Sequence, residues 1–468
     1  MAYFLKKATL KGRTYLSIVE SFYSHEKKGT AHKTFKSLGS VETLKANGID
    51  DPISFYQAEV DKLNNVRKTS AVPKISDIPP IKHLGYFPLK SILEKLGVKK
   101  FVDLYKLVTN FDFDLYSMLS SLVYARCVNP CSKLRTFHEV LPVLYEECDC
   151  SYDQILTAVE FFGENYEKFV ELLTNQVNEK YGINTSKTYF DCTNFYFEID
   201  REDDFRRKGP SKENRKDPIV GLGLLLDANQ IPISMKLYPG NESEKPVLRN
   251  VINEMKNKNN ITGKTIHVAD KGLNCIQNIT ASILNGDGYL FSKSVKMLPE
   301  TEKTWVKLNN DWITVHDRDG KTLYRYKSCV DEFEYTITDA HNKKKKVKLK
   351  EKRLVTYNPT LAKKQRREIN KMVEKAKSLC YSRAKHEEYG ESSKYMNFVS
   401  VDENGEVGTN KVTPTINDAA IEKDLSFAGY NLLVTSETTM SDQEMYDTYH
   451  NLWRIEESFN NQEVLTAK

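Results

Sequence analysis

The chain predicts an α/β fold built on a mixed sheet. First, SKTYFDCTNFYFEI, DPIVGLGLLLD and IPISMKLYP read as strands separated by charged or turn sequence. A helical pattern then covers Lys245 to Lys258, and KTIHVAD follows as a further strand. Three strands, a helix and another strand open an α/β domain. Second, YLFSKSV near residue 290 and NLLVTSE at Asn431 to Glu437 supply two more apolar runs of strand length. Third, the segment between them is irregular, so one domain, 183–298 and 427–468, is expected to be interrupted by an insertion over 299–426.

The remaining elements follow in order. Residues 3 to 38 alternate as strands, with a break at Lys11, Gly12 and Arg13 and a third strand near Thr34 to Leu38. This makes 1–70 a small basic β-hairpin module. Lys68 to Pro80 is polar and Pro-containing, as linkers are. Over 80–182 the spacing of apolar residues turns to three and four in LKSILEKLGVKKFVDLY, FDLYSMLSSLVYARCV and YDQILTAVEFFGENYEKFVELLTNQVNEKY, a helical region. In the insertion, Trp305 to Val315 and Thr322 to Val330 predict antiparallel strands, and Leu361, Ile369, Met372, Ala376 and Leu379 mark one face of a long basic helix. SDQEMYDTYHNLWRIEESFNN, Ser441 to Asn461, predicts a helix started by the capping pair Ser441 and Glu444.

Composition narrows the class. The chain has 468 residues, 40% apolar and 28% charged, enough for more than one core. No apolar run approaches the roughly 20 residues of a membrane span, and the N-terminus lacks a signal-peptide core, so a cytoplasmic protein is expected. The eight cysteines include no CxxC pair, which points to reduced thiols. Net charge is +5, yet Lys343 to Lys377 holds fifteen Lys/Arg against three Asp/Glu. Such a patch is either a polyanion footprint or a solvated charged helix.

Three acids stand where core residues are expected. Met445, Tyr449, Leu452 and Phe459 fall on one helix face, and Glu456 completes the series. Asp191 shares a strand face with Tyr189, Thr193, Phe195 and Phe197. Asp270 shares one with Ile266 and Val268, just before a Lys271–Gly272 turn, where open α/β sheets place ligands. Each acid alone also fits a cap or a strand end, and a stripe rotated by one residue would leave Glu456 in water. Together they suggest a site for two hard divalent cations, Mg²⁺ or Mn²⁺, since unpaired buried charge is costly. Such a site performs in-line displacement at phosphodiesters without a histidine base or a nucleophilic serine. A phosphatase using Asp191 as nucleophile is a rival, resting on the short D-x-T match.

The ordered runs YFDCTNFYFE, GLGLLLDANQIPISMKLYPGN, HVADKGL and YHNLWRIEESF resemble the DDE transposases of bacterial insertion sequences, in the IS-four superfamily. The resemblance implies an RNase H-like catalytic core with a mixed sheet, split by a β-rich insertion before the glutamate helix. It implies Asp191, Asp270 and Glu456 as the metal-binding catalytic triad for two Mg²⁺ or Mn²⁺ ions, cleaving element ends and joining them to target DNA. The partner would be double-stranded DNA, held by a homodimer on paired ends, with the helical region 80–182 binding the ends. Tyr449 corresponds to the first residue of the family's Tyr, Arg, Glu, Lys signature. The Arg position is Leu452, with Arg454 two residues on, and the Lys position is Glu463, a charge reversal. The ending NNQEVLTAK resembles a truncated terminus, so a DNA-binding remnant that leaves ends uncut is the second expectation. Phosphate contacts are expected from Lys343, Lys344, Lys345 and Lys346, from Lys363, Lys364, Arg366 and Arg367, and from Arg206 and Arg207 in RRKGPSKENR, whose alternative is an ordinary hairpin loop.

Overall fold

The computed structural model describes residues 3–24, 29–70, 81–210, 217–258, 261, 263–338, 343–381, 386–401 and 407–466. Two compact units divide the chain at Ile81 and Lys82.

In the first unit, β1 (Tyr3–Leu10), β2 (Arg13–Ser24) and β3 (Gly29–Ser40) form an antiparallel sheet in chain order. Lys11 at φ 50° and Gly12 at φ 78° make the two-residue turn between β1 and β2. Two positive φ values match the right-handed twist of the strands they join. The third strand is longer than the alternation suggests, because β2 offers pairing partners along its length. Ser40 caps the helix Val41–Ala46 by accepting from the Thr43 N–H at 3.2 Å. A second helix, Pro52–Ser70, closes on the sheet edge: the Tyr3 N–H donates to Asn64 Oδ1 at 2.8 Å, and Asn64 Nδ2 donates to the Tyr3 carbonyl at 2.9 Å. Residues 71–80 of the expected linker lie outside the described residues.

The second unit opens with the expected helices, Phe87–Lys95, Val98–Leu104, Leu115–Val128, Tyr152–Glu164 and Tyr166–Tyr181. Gly97 at φ 64° breaks the first from the second. Asp114 and Ser151 cap the third and fourth. Their apolar faces meet around Tyr86, Val102, Leu115, Met118 and Ile155.

The centre is a nine-stranded mixed sheet. Its strands are β4 (Lys187–Tyr196), β5 (Ile219–Leu226), β6 (Pro232–Pro239), β7 (Ile266–Ala269), β8 (Gly288–Lys293), β9 (Ile313–His316), β10 (Thr322–Thr338), β11 (Lys344–Tyr357) and, after a separate pair β12 (Met396–Val401) and β13 (Val407–Ile416), β14 (Tyr430–Thr435). The order is β6-β5-β4-β7-β8-β14-β11-β10-β9, with β4, β7 and β8 mutually parallel and the other pairings antiparallel. Every residue of β5 is buried, because both faces of the sheet are covered. One face packs Phe190, Leu225, Phe291 and Val434 against the helices Glu244–Asn257 and Ile276–Leu284. The other packs Tyr189, Val268, Leu290 and Leu433 against Met445, Leu452, Ile455 and Phe459. Each such side chain taken fully from water contributes roughly 1.5–3 kcal/mol.

Two expectations change. Trp305 lies in a helix, Glu300–Lys307, and of the strand expected over Trp305 to Val315 only the last three residues are extended, in β9 (Ile313–His316). Pro299 followed by Glu300 and Glu302 in a first turn is a helix start that strand alternation does not weigh. Second, β9, β10 and β11 do not stand apart from the core. β11 pairs with β14 from Lys352↔Thr435 to Tyr357↔Tyr430, so the first part of the inserted segment continues the main sheet. The rest packs the long helix Pro359–Tyr381 against Tyr389, Tyr395 and Met396.

Candidate active site

β4 and β7 run parallel from Lys187↔Ile266 to Phe190↔Ala269. The next residue in each case is an acid: Asp191 sits mid-strand in β4, where it also pairs with Leu224 of β5, and Asp270 is the first residue past the end of β7, so the two positions adjoin at the roughly 4.8 Å spacing of neighbouring strands. Both share a face with Tyr189 and Val268, which lie under the C-terminal helical segment. Both are half-buried. Asp191 Oδ1 accepts from the Cys192 N–H at 2.8 Å. Asp270 Oδ1 accepts from the Tyr449 hydroxyl at 2.8 Å. Burial first, and then the Asp270 charge, push the Tyr449 phenol well above its ordinary range, so it stays a neutral donor.

The segment carrying Tyr449 is anchored at several points. The Ser441 side chain accepts from the Glu444 N–H at 3.1 Å. Lys187 donates to Glu444 at 3.0 Å and to Thr448 Oγ1 at 3.1 Å, and Lys352 pairs with Asp442 at 2.7 Å. Tyr446 stacks on Tyr324 with ring centres 4.5 Å apart.

Glu456 is a correction. The expected single helix is two, Asp442–His450 and Trp453–Thr466, separated at Asn451–Leu452. There the Leu452 N–H donates to the Tyr449 carbonyl at 3.0 Å and the Arg454 N–H to the Asn451 carbonyl at 3.2 Å, tight three-residue turns that shift the helical register. Ile455, fully buried, takes the core slot assigned to Glu456, whose side chain is exposed. The Glu456 charge adds, after burial and Asp270, to what raises the Tyr449 phenol. Among the described residues, no group of three His, Cys, Asp or Glu side chains converges as a metal site. The structure therefore brings Asp191 of β4 beside Asp270 at the end of β7 and leaves Glu456 in solvent on the covering helix. Carboxylate oxygens from two adjacent strands are the hard donor type that suits Mg²⁺ or Mn²⁺.

The expected phosphate contacts divide. Lys343, Lys344, Lys345 and Lys346 are exposed, the last three on β11, with Lys346 paired to Glu334 of β10 at 2.7 Å. Further along the ladder, Glu332 stands opposite Lys350, so acids on β10 offset part of the basic tract. Lys352 and Arg353 are internal. Fully buried Arg353 meets Glu351 at 3.1 Å and Glu302 at 2.6 Å. Lys363, Lys364, Arg366 and Arg367 are exposed on the outer face of the helix Pro359–Tyr381, whose inner face is Ala362, Ile369, Val373 and Ala376. Arg206 is engaged by Asp203 at 2.5 Å and Arg207 by Asp204 at 3.4 Å, as in an ordinary charged turn; residues 211–216 of that stretch lie outside the described residues. Arg454 is exposed, 5.8 Å from the Trp453 ring centre.

Two features were not expected from sequence. The Ser292 hydroxyl of β8, near the Tyr449 phenol, donates to Asn431 Oδ1 at 3.0 Å; the signal was its place one residue past Phe291, which pairs with Ala269. Behind the site, Thr188 Oγ1 and His267 Nδ1 lie 2.8 Å apart, and His267 Nε2 and Asp287 Oδ2 are 3.0 Å apart. Lys256 donates to Asp287 at 2.7 Å, and the network ties β4, β7 and the start of β8 together.

No protein-family model matches the chain, and no curated protein does. Among solved structures, it is similar to a piggyBac transposase in a synaptic complex with hairpin DNA. The likeness is 12% identity over 45% of this chain and 47% of that one, with a TM-score of 0.28. The chain thus spans about half the length of that relative, and the likeness is too slight to carry fold or function.

Proposed function

We propose that the chain is a DNA transposase of the DDE type, carrying out metal-dependent cleavage at the ends of a mobile element and strand transfer into target DNA. The observation that carries this reading is the pair Asp191, in the middle of β4, and Asp270, just past the end of the adjacent parallel β7, with Tyr449 of the covering helix bonded to Asp270. An RNase H-like core is supported by the mixed sheet in which acid-bearing β4 and β7 lie centrally. Asp191 and Asp270 would hold Mg²⁺ or Mn²⁺, with Glu456 as third ligand once its exposed side chain turns inward. When bound, the ions would supply an activated attacking oxygen and a stabilised leaving oxygen. The protein's own groups do the rest. Tyr449 fixes the Asp270 carboxylate, the Cys192 N–H fixes Asp191, and exposed Arg454 and the outer lysines offer charge to backbone phosphates. In the reaction, water attacks phosphorus and the bond to the 3′ oxygen breaks; that freed 3′-hydroxyl would then attack a target phosphodiester, forming a new P–O bond as the bond to the target's own 3′ oxygen breaks and that oxygen leaves as a hydroxyl.

Asp191→Ala tests this directly. The variant should bind double-stranded DNA as the parent does and lose Mg²⁺-dependent cleavage of element-end DNA; cleavage at the parental rate would refute the assignment. A second reading, a binding protein that leaves ends uncut, is favoured by the open position of Glu456. Binding without nicking by the parent chain would support it.

A further inference from the structure

β7 and β8 carry a second feature past the acids. Ala269, the last residue of β7, pairs with Phe291; Lys271 stands in the turn just past β7, and Lys293 is the last residue of β8, on the strand face opposite Ser292. Both line a cavity of about 220 Å³ between the sheet edge and the helix Pro359–Tyr381. Two more lysines, Lys296 and Lys394, complete its charged lining against Glu368 and Asp424. Asp424 engages those two, at 2.7 Å and 3.6 Å. Lys293 instead rests on Tyr335, with its Nζ donating to the hydroxyl at 3.4 Å and lying 4.7 Å from the ring centre. Burial, and after it the nearby Arg353, push the Lys293 ammonium below its ordinary range. Glu351 and Glu302 partly offset this from behind, where both pair with Arg353, while the cavity lining itself holds two lysines more than acids, which favours an anion there.

We propose that this cavity is a phosphate subsite in which Lys293 and Lys271 hold a backbone phosphate next to the phosphodiester presented to Asp191 and Asp270. The proposal rests on the reading of those acids as the reaction centre. Its geometry follows from the shared edge: a nucleic-acid strand crossing the ends of β7 and β8 offers one phosphate to the acid face and a neighbouring one to the lysine face. Lysine suits this role, as a compact point charge that tolerates any base sequence. Lys293 and Lys271 are positioning residues, and no bond to them forms or breaks.

The test is salt-dependent binding of a duplex of about 30 base pairs, without metal, by the full chain and by Lys271→Gln, Lys293→Gln and Lys293→Arg. Each glutamine variant should lower the slope of log K against log salt by about 1, and the arginine variant should restore it. Unchanged slopes in both glutamine variants would overturn the proposal. Lys271 is exposed on a turn, so Lys271→Gln keeps the test valid even where Lys293→Gln misfolds. Acetylation mapped by mass spectrometry gives a second readout, in which duplex should shield both lysines. Shielding by inorganic phosphate but not by duplex would assign the cavity to a small phosphate ligand and likewise overturn the proposal. Neither readout needs turnover, so a parent chain with lysine-dependent slope and no cleavage would refute the catalytic reading while the phosphate subsite stands.

Discussion

Replacing Tyr449 by phenylalanine removes one oxygen and leaves the ring packed where it is. That oxygen makes the 2.8 Å bond to Asp270 Oδ1, a direct link between the covering helix and one of the two acids. A hydrogen bond to a charged group contributes roughly 1.5–3 kcal/mol, and a half-buried one belongs at the lower end. Loss of such a supporting bond typically costs about 10–100-fold in metal affinity or activity. Mn²⁺ titration of DNA cleavage should show the half-saturating concentration rising within that range, while duplex binding without metal stays at the parental value. The pH profile adds a sign. Because the Tyr449 phenol is held above its ordinary range, chiefly by burial and then by Asp270, it remains a donor through mildly alkaline pH, and the parent and Tyr449→Phe should show the same alkaline limb. An unchanged Mn²⁺ response, with unchanged urea stability, would mean that Tyr449 does not orient Asp270 and would refute the reasoning.

Three further outcomes follow from the same structure. Asp287→Asn should destabilise the second unit by about 3 kcal/mol, since it leaves Lys256 and His267 facing a neutral amide. Burial raises the Asp287 pKa, but the bonds from His267 and Lys256 outweigh it and hold it below the ordinary value. Its contribution is therefore present above about pH 4 and lost as pH falls through the folded value, so urea midpoints of parent and variant should converge in acid. Gly240→Ala would place a methyl group 2.1 Å from the Ile219 carbonyl oxygen and 2.5 Å from that of Arg207. The β5–β6 edge must move, at a cost above roughly 2 kcal/mol, read as a lowered melting transition. Neutralising Lys344, Lys345 and Lys346 together should reduce the salt slope of duplex binding by at most about 3, and by less where Glu334 already engages Lys346; an unchanged slope would exclude this ribbon from the DNA path.

The strands of the core and the helical region were legible because apolar spacing at two and at three to four residues reports which faces are covered. Asp191 and Asp270 were legible for the same reason, since each continues a strand face that is otherwise apolar and each ends up half-buried there. Glu456 was misread because a linear stripe assumes one unbroken helix, and the turn at Asn451–Leu452 shifts the register so that Ile455 takes the buried slot. The basic tract divides in a way the sequence does not show. Fifteen basic residues look alike in sequence, yet pairing with β14 takes Lys352 and Arg353 inside while Lys344 to Lys346 stay outside.

By itself, then, the sequence determined the α/β class, the β1–β2 turn and the strand faces on which two acids sit, all consequences of local periodicity and turn chemistry. Only the tertiary structure decided that Asp191 and Asp270 are neighbours, that Tyr449 reaches Asp270, and that Lys271 and Lys293 share a cavity. Those depend on which strands pair and in what register, and pairing between residues 79 positions apart in β4 and β7, or 22 apart in β7 and β8, leaves no periodic mark on the chain.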